Sequence, residues 1–135
     1  MTNDQQAVYD VLQKAHDYVA RGWTQGPFAV DKNNQPVTAV SPDACKWCAS
    51  GALHRAFYDI TPFHDYFVDE KQRIIAANAM RRALLDTGND RVAKDFRNDC
   101  YPMGVLIGFN EMRDTTQQQV IQVFKKAMDM VKESA

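Results

Sequence analysis

DACKWCASGALHRAFYD, residues Asp43 to Asp59, is the stretch whose reading decides the fold. Ser41-Pro42 just ahead of it supplies a helix N-cap and a proline at the first helical position, so a helix is predicted over about 42–59. Turning about 100° per residue, such a helix gathers Cys45, Ala49, Ala52 and Ala56 on one narrow face, flanked by Cys48 and Leu53. Trp47, Gly51, His54 and Tyr58 share the opposite side, leaving only strips at Lys46, Ser50 and Arg55 for water. A helix apolar around most of its circumference belongs in the middle of a domain, and its alanines and Gly51 let neighbours approach closely.

Working outward, Thr2 with Gln5 forms a capping-box pattern, and Val8, Val11, Leu12, Ala15 and Val19 recur at helical spacing, predicting a helix from about Asn3 to Arg21. Between Trp23 and Val40 the pattern changes. Gly22, Gly26, Pro27 and Pro36 punctuate it, and FAVD and PVTAV flank the turn-rich KNNQ, predicting a small β-hairpin at about 28–40. Past Thr61-Pro62, FHDYF gives one short turn before DEKQRIIAANAMRRALLDTG, which starts acidic and stops at Gly88, a third strong helix. In 89–110, Val92 and Phe96 suggest a brief helix ended by Pro102, and MGVLIGF reads as an apolar strand or a buried turn. The last helix is capped at Asp114 or Thr115 and carries the stripe Val120, Val123, Phe124, Ala127 and Val131. The expected fold is mainly α with a minor β component: one compact domain over 1–135, about four helices around the central 42–59 helix, with the hairpin at its side.

Composition limits the function classes. With 135 residues, 45% hydrophobic and 24% charged, the chain can build a core of ordinary size. Sixteen basic against seventeen acidic residues give no long-range pull on nucleic acid or an anionic membrane. The locally basic run with Arg81, Arg82, Arg91, Lys94 and Arg97 is interrupted by Asp86, Asp90 and Asp95 and reads as a solvated face, with a surface for phosphate or an acidic partner as the alternative. No segment is apolar over the length a membrane span needs, and MTNDQQAVYD has neither the basic region nor the apolar core of a signal peptide, so a cytoplasmic location is expected. Three cysteines, Cys45, Cys48 and Cys100, are too few for a disulfide scaffold and fit a reducing compartment.

The paired thiols admit sharper readings. A thiolate at a helix N-terminus is stabilised by the macrodipole, which makes Cys48 a candidate nucleophile. His54 is poorly placed as its base, since six residues along a helix put the two side chains about 120° apart; His16 or His64 would have to reach it from elsewhere. The βαβ setting of a thioredoxin-like Cys-x-x-Cys is missing, and a zinc site would need scattered ligands. No metal and no cofactor is therefore expected, and the favoured reading makes both cysteines small buried hydrophobes.

GWTQGPFAVD at Gly22–Asp31, ACKWCASGALHRAF at Ala44–Phe57 and GFNEMRDTTQQQVIQVFKKA at Gly108–Ala127 together resemble a family of small uncharacterised proteins of bacteria and their phages, a domain of unknown function. The shared words are Gly-Trp-x-Gln-Gly, Trp-Cys-x-x-Gly-Ala-Leu and Trp-Asn-Asp, the last appearing here as Phe109-Asn110-Glu111, which keeps the amide and lengthens the carboxylate. The resemblance implies no activity. It directs attention to Trp23, Gln25, Asp31, Trp47, Cys48, Asn110 and Glu111; with Arg113, a polar group beside an apolar segment, all but Cys48 are ligand-contact candidates, and Cys48, Asn110 and Glu111 are candidate catalytic groups. Each of these also has a structural reading. Asn110 would tie MGVLIGF to the last helix, and Trp23 and Gln25 would anchor the hairpin. The leading expectation is a non-enzymatic protein binding a host or phage macromolecule, with protein the partner class and oligomeric state open. The competing one is a small cysteine-dependent enzyme or ligand-binding domain with a pocket near Cys48, Asn110 and Glu111.

Overall fold

The computed structural model describes residues 1–60, 66–86 and 109–133. His64, Cys100, most of the FHDYF turn, and the region around Val92, Phe96 and MGVLIGF lie outside them. The fold is mainly helical with a small antiparallel sheet: α1 (Asn3–Arg21), β1 (Ala29–Val30), β2 (Pro36–Val37), β3 (Lys46–Trp47), α2 (Ala49–Ile60), α3 (Tyr66–Asp86) and α4 (Gln117–Glu133).

Local chemistry sets the helix starts. At α1 the Thr2 hydroxyl accepts from the Gln5 amide at 3.1 Å while the Gln5 side chain accepts from the Thr2 amide at 2.8 Å, the reciprocal box anticipated from the sequence. At α4 the same box is built one residue past the expected caps, on Thr116 and Gln119. Thr115 is instead buried, its hydroxyl donating 2.8 Å to the Phe109 carbonyl.

The expected helix over 42–59 begins only at Ala49. Ser41 does cap, but caps a turn: its hydroxyl accepts from the Asp43 amide at 3.1 Å. Cys45, Trp47 and Cys48 then donate their amides to the carbonyls of Val30, Gly22 and Phe28, at 2.9, 3.0 and 3.1 Å. Pairing with a neighbouring strand overrides the Ser-Pro signal, and the helical-wheel placement of Cys45, Lys46 and Trp47 fails with it. The result is a three-stranded sheet of order β2-β1-β3, with Ala29 opposite Val37 on one side and Trp47 on the other. The hairpin between β1 and β2 matches the sequence reading. Asp31 Oδ1 accepts from the Asn33 and Gln35 amides at 2.8 and 3.0 Å, and Asn34 takes the left-handed conformation, φ 60°.

Among the described elements α1, rather than the helix of the quoted stretch, occupies the middle: it packs against α4, α2 and α3 and touches β3. Its stripe Val8, Val11, Leu12, Ala15, Tyr18 and Val19 is buried, as is the α4 stripe Val120, Val123, Phe124, Ala127 and Val131. Burying a side chain the size of Leu12 or Phe124 stabilises by about 1.5–3 kcal/mol. The α2 helix packs on α1 and touches the sheet at β3, with Ala49, Ala52, Leu53 and Ala56 buried. A Cβ built on Gly51 would collide with the Phe28 carbonyl oxygen, so only glycine allows the chain entering β1 to cross there.

Candidate functional site

Two places in the fold gather chemistry. The first joins the residues singled out in the sequence. Asn110 is 1% exposed, and both ends of its amide are engaged. Its Oδ1 accepts from Trp23 Nε1 at 2.7 Å and from the Ala49 amide at 3.0 Å; its Nδ2 donates to the Thr24 carbonyl at 3.3 Å and Glu111 Oε1 at 3.0 Å. Gln25 Nε2 donates to the carbonyls of Asn110 and Met112, both at 2.9 Å, and the Gly26 amide donates to both oxygens of Glu111, again at 2.9 Å. Asn110 thus ties residues 109–112 to the Trp23–Gly26 loop and the start of α2, while the tie to the last helix runs through Thr115.

Ala49 is the first residue of α2, so Asn110 satisfies one of the amides that a helix start leaves without an intrahelical partner. Cys48 satisfies another, its Sγ accepting from the Gly51 amide at 3.2 Å. The thiol is 4% exposed. Burial pushes its pKa up, outweighing the amides of Gly51 and Ser50, which pull it down; the Glu111 charge adds a smaller rise. No imidazole pairs with it among the described residues, and His16 Nδ1 lies 3.0 Å from Asp17 on α1. Cys45, expected in the interior, is exposed. No group of three His, Cys, Asp or Glu side chains suited to a metal ion occurs among the described residues.

The remaining candidates stand apart from this cluster. Asp31 organises the hairpin turn. Trp47 is buried, donating from Nε1 to the Ala39 carbonyl at 3.1 Å and packing its ring 4.7 Å from that of Tyr18. Arg113 is exposed on the turn that follows Glu111.

The second place is a cavity of about 570 Å³ between the hairpin, α2 and α3. Its apolar wall is Phe28, Ala39, Val40, Leu53, Phe57 and Ala76, and its polar groups are Thr38, Ser50, His54 and Arg73. Phe28 stands at it 56% exposed. None of the candidate residues lines it. The sequence did carry a signal for it: Leu53, His54 and Phe57 cluster on one side of α2 at helical spacing, and Phe28 sits outward in a strand pattern that turns Ala29 inward. What it lacked was the partner, α3, whose alanines do not announce a cavity wall.

No helix of the described residues is long and apolar enough to cross a membrane. Neither a curated protein nor a solved structure matches the chain. A family model does, over residues 3–130, and on that match the chain belongs to the Family of unknown function DUF6197.

Proposed function

We propose that this is a small non-enzymatic cytoplasmic protein, encoded by bacteria or their phages, that works by binding a host or phage macromolecule. The observation that carries the reading is the cavity beside Phe28, whose ring stands 56% exposed at its edge, since an exposed aromatic beside an apolar cavity is a common mark of an interaction site. The thiol and amide chemistry supports the non-catalytic part. Cys48 serves as a helix cap with its pKa pushed up, and Trp23, Gln25, Asn110 and Glu111 are bonded to one another or to the adjoining backbone. The test is affinity capture from a bacterial lysate with the native chain and with Phe28→Asp. A partner retained by the first and lost by the second is the expected result; equal capture by both contradicts it.

A second reading, a small-ligand-binding domain, is favoured by one specific observation. Ser50, a buried polar residue at 8% exposure, lines this otherwise largely apolar cavity together with His54 and Arg73. A volume of about 570 Å³ falls in the range of small-molecule sites.

A further inference from the structure

We infer that the cavity between the hairpin, α2 and α3 is a binding site for an amphipathic carboxylate: an apolar chain or ring seated against Leu53, Phe57 and Ala76, with its carboxylate held by Arg73 and His54. The inference rests on the small-ligand reading and adds the chemical class of the ligand.

The wall accounts for the apolar part. Phe28, Leu53 and Phe57 supply large apolar faces, and Ala39 and Ala76 leave room between them. Nothing in that wall favours a polar or multiply charged molecule, which would forfeit its hydration without replacement.

Arg73 accounts for the charge. The cations Lys14, Arg55, Lys71 and Lys126 each lie within 4.0 Å of a carboxylate, at 3.4, 3.2, 3.1 and 3.4 Å respectively. Among the described residues Arg73 has no such partner. Its guanidinium carbon sits 5.3 Å from the centre of the Phe57 ring, which holds the side chain at the cavity, and a ring face engages the plane of the guanidinium rather than its N–H fork. A guanidinium matches a carboxylate with two parallel hydrogen bonds, and does so best where water is partly excluded. His54 lines the same cavity close enough to Arg73 for the guanidinium charge to depress its pKa, after the larger effect of burial, so the field there favours an anion. The Ser50 hydroxyl lies on the same helix four residues before His54, one turn along the same side. It can donate to a second carboxylate oxygen or to a polar atom further along the ligand.

The test uses the full chain and a matched panel: hexanoate, octanoate, decanoate and phenylbutyrate, with decanol and decylamine as neutral and cationic counterparts, all below their aggregation limits. Binding is read by isothermal titration calorimetry and located by the NMR shifts of the Ala39, Leu53 and Ala76 methyl groups. The inference expects at least one carboxylate to bind with shifts confined to those methyls, decylamine not to bind, and Arg73→Gln to weaken the carboxylate about tenfold. Arg73 is exposed, so that variant should fold. If decanol binds as well as decanoate, or Arg73→Gln changes nothing, the carboxylate class is overturned while a ligand cavity stands. If no member of the panel shifts the cavity methyls, the small-ligand reading is overturned as well.

Discussion

Asn110 shows what a single residue does in this fold. It supplies an acceptor to the Trp23 indole and the first amide of α2, and a donor to the Thr24 carbonyl, from a position 1% exposed. Removing one partner of a buried hydrogen bond costs the desolvation of the group left behind, about 1–3 kcal/mol each. Asn110→Ala should therefore lower unfolding free energy by more than about 2 kcal/mol in urea titration, whereas Glu111→Gln, at an exposed site, should cost under about 1 kcal/mol. Gly51 gives a prediction of opposite sign to intuition. In an open helix Gly→Ala stabilises by roughly 1 kcal/mol, but here the added carbon meets the Phe28 carbonyl oxygen. Gly51→Ala should lower the thermal midpoint; a raised midpoint would mean that the chain entering β1 does not cross α2 so closely. The importance of Asn110 was legible in the sequence only as a reason to look. That its amide would cap a helix beginning 61 residues earlier is a long-range fact no local pattern encodes.

At the scale of elements, α1 and α4 were readable because their burial is periodic: the predicted α4 stripe is the observed buried face, and α1 buries its predicted stripe together with Tyr18. The start of α2 was misread because its local signals compete. Ser41-Pro42 is a sound helix opening taken alone, yet the backbone from Cys45 to Cys48 finds partners in Val30, Gly22 and Phe28, and strand pairing wins. The α1–α2 contact carries a half-buried polar network, of which the sequence shows only the i, i+4 spacing of Arg55 and Asp59. Asp59 accepts from the Tyr18 hydroxyl and pairs with Lys14 at 3.4 Å and Arg55 at 3.2 Å. Burial alone would raise the Asp59 pKa; Tyr18, Lys14 and Arg55 outweigh it and hold the carboxyl below its ordinary range. A carboxyl whose folded pKa is depressed adds stability that is present above its unfolded pKa and disappears as pH falls through the folded one. Unfolding free energy should accordingly drop on acidification below the ordinary carboxylate range. Asp59→Asn should lose stability at neutral pH and show a shallower acid decline, measured by urea titration across pH.

At the scale of the molecule, residues 109–112 close over the Trp23–Gly26 loop and the cap of α2, and none of them lines the cavity of Phe28, Leu53 and Arg73. The thiol at the head of α2 belongs to the cluster at that cap. In a Cys45→Ser, Cys100→Ser variant, the reaction of Cys48 with an aromatic disulfide reagent at neutral pH isolates that thiol. A buried helix cap with a raised pKa should react only as the protein opens, at a rate that climbs through the unfolding transition in denaturant. Labelling of the folded protein at the rate of a free exposed thiol would contradict it.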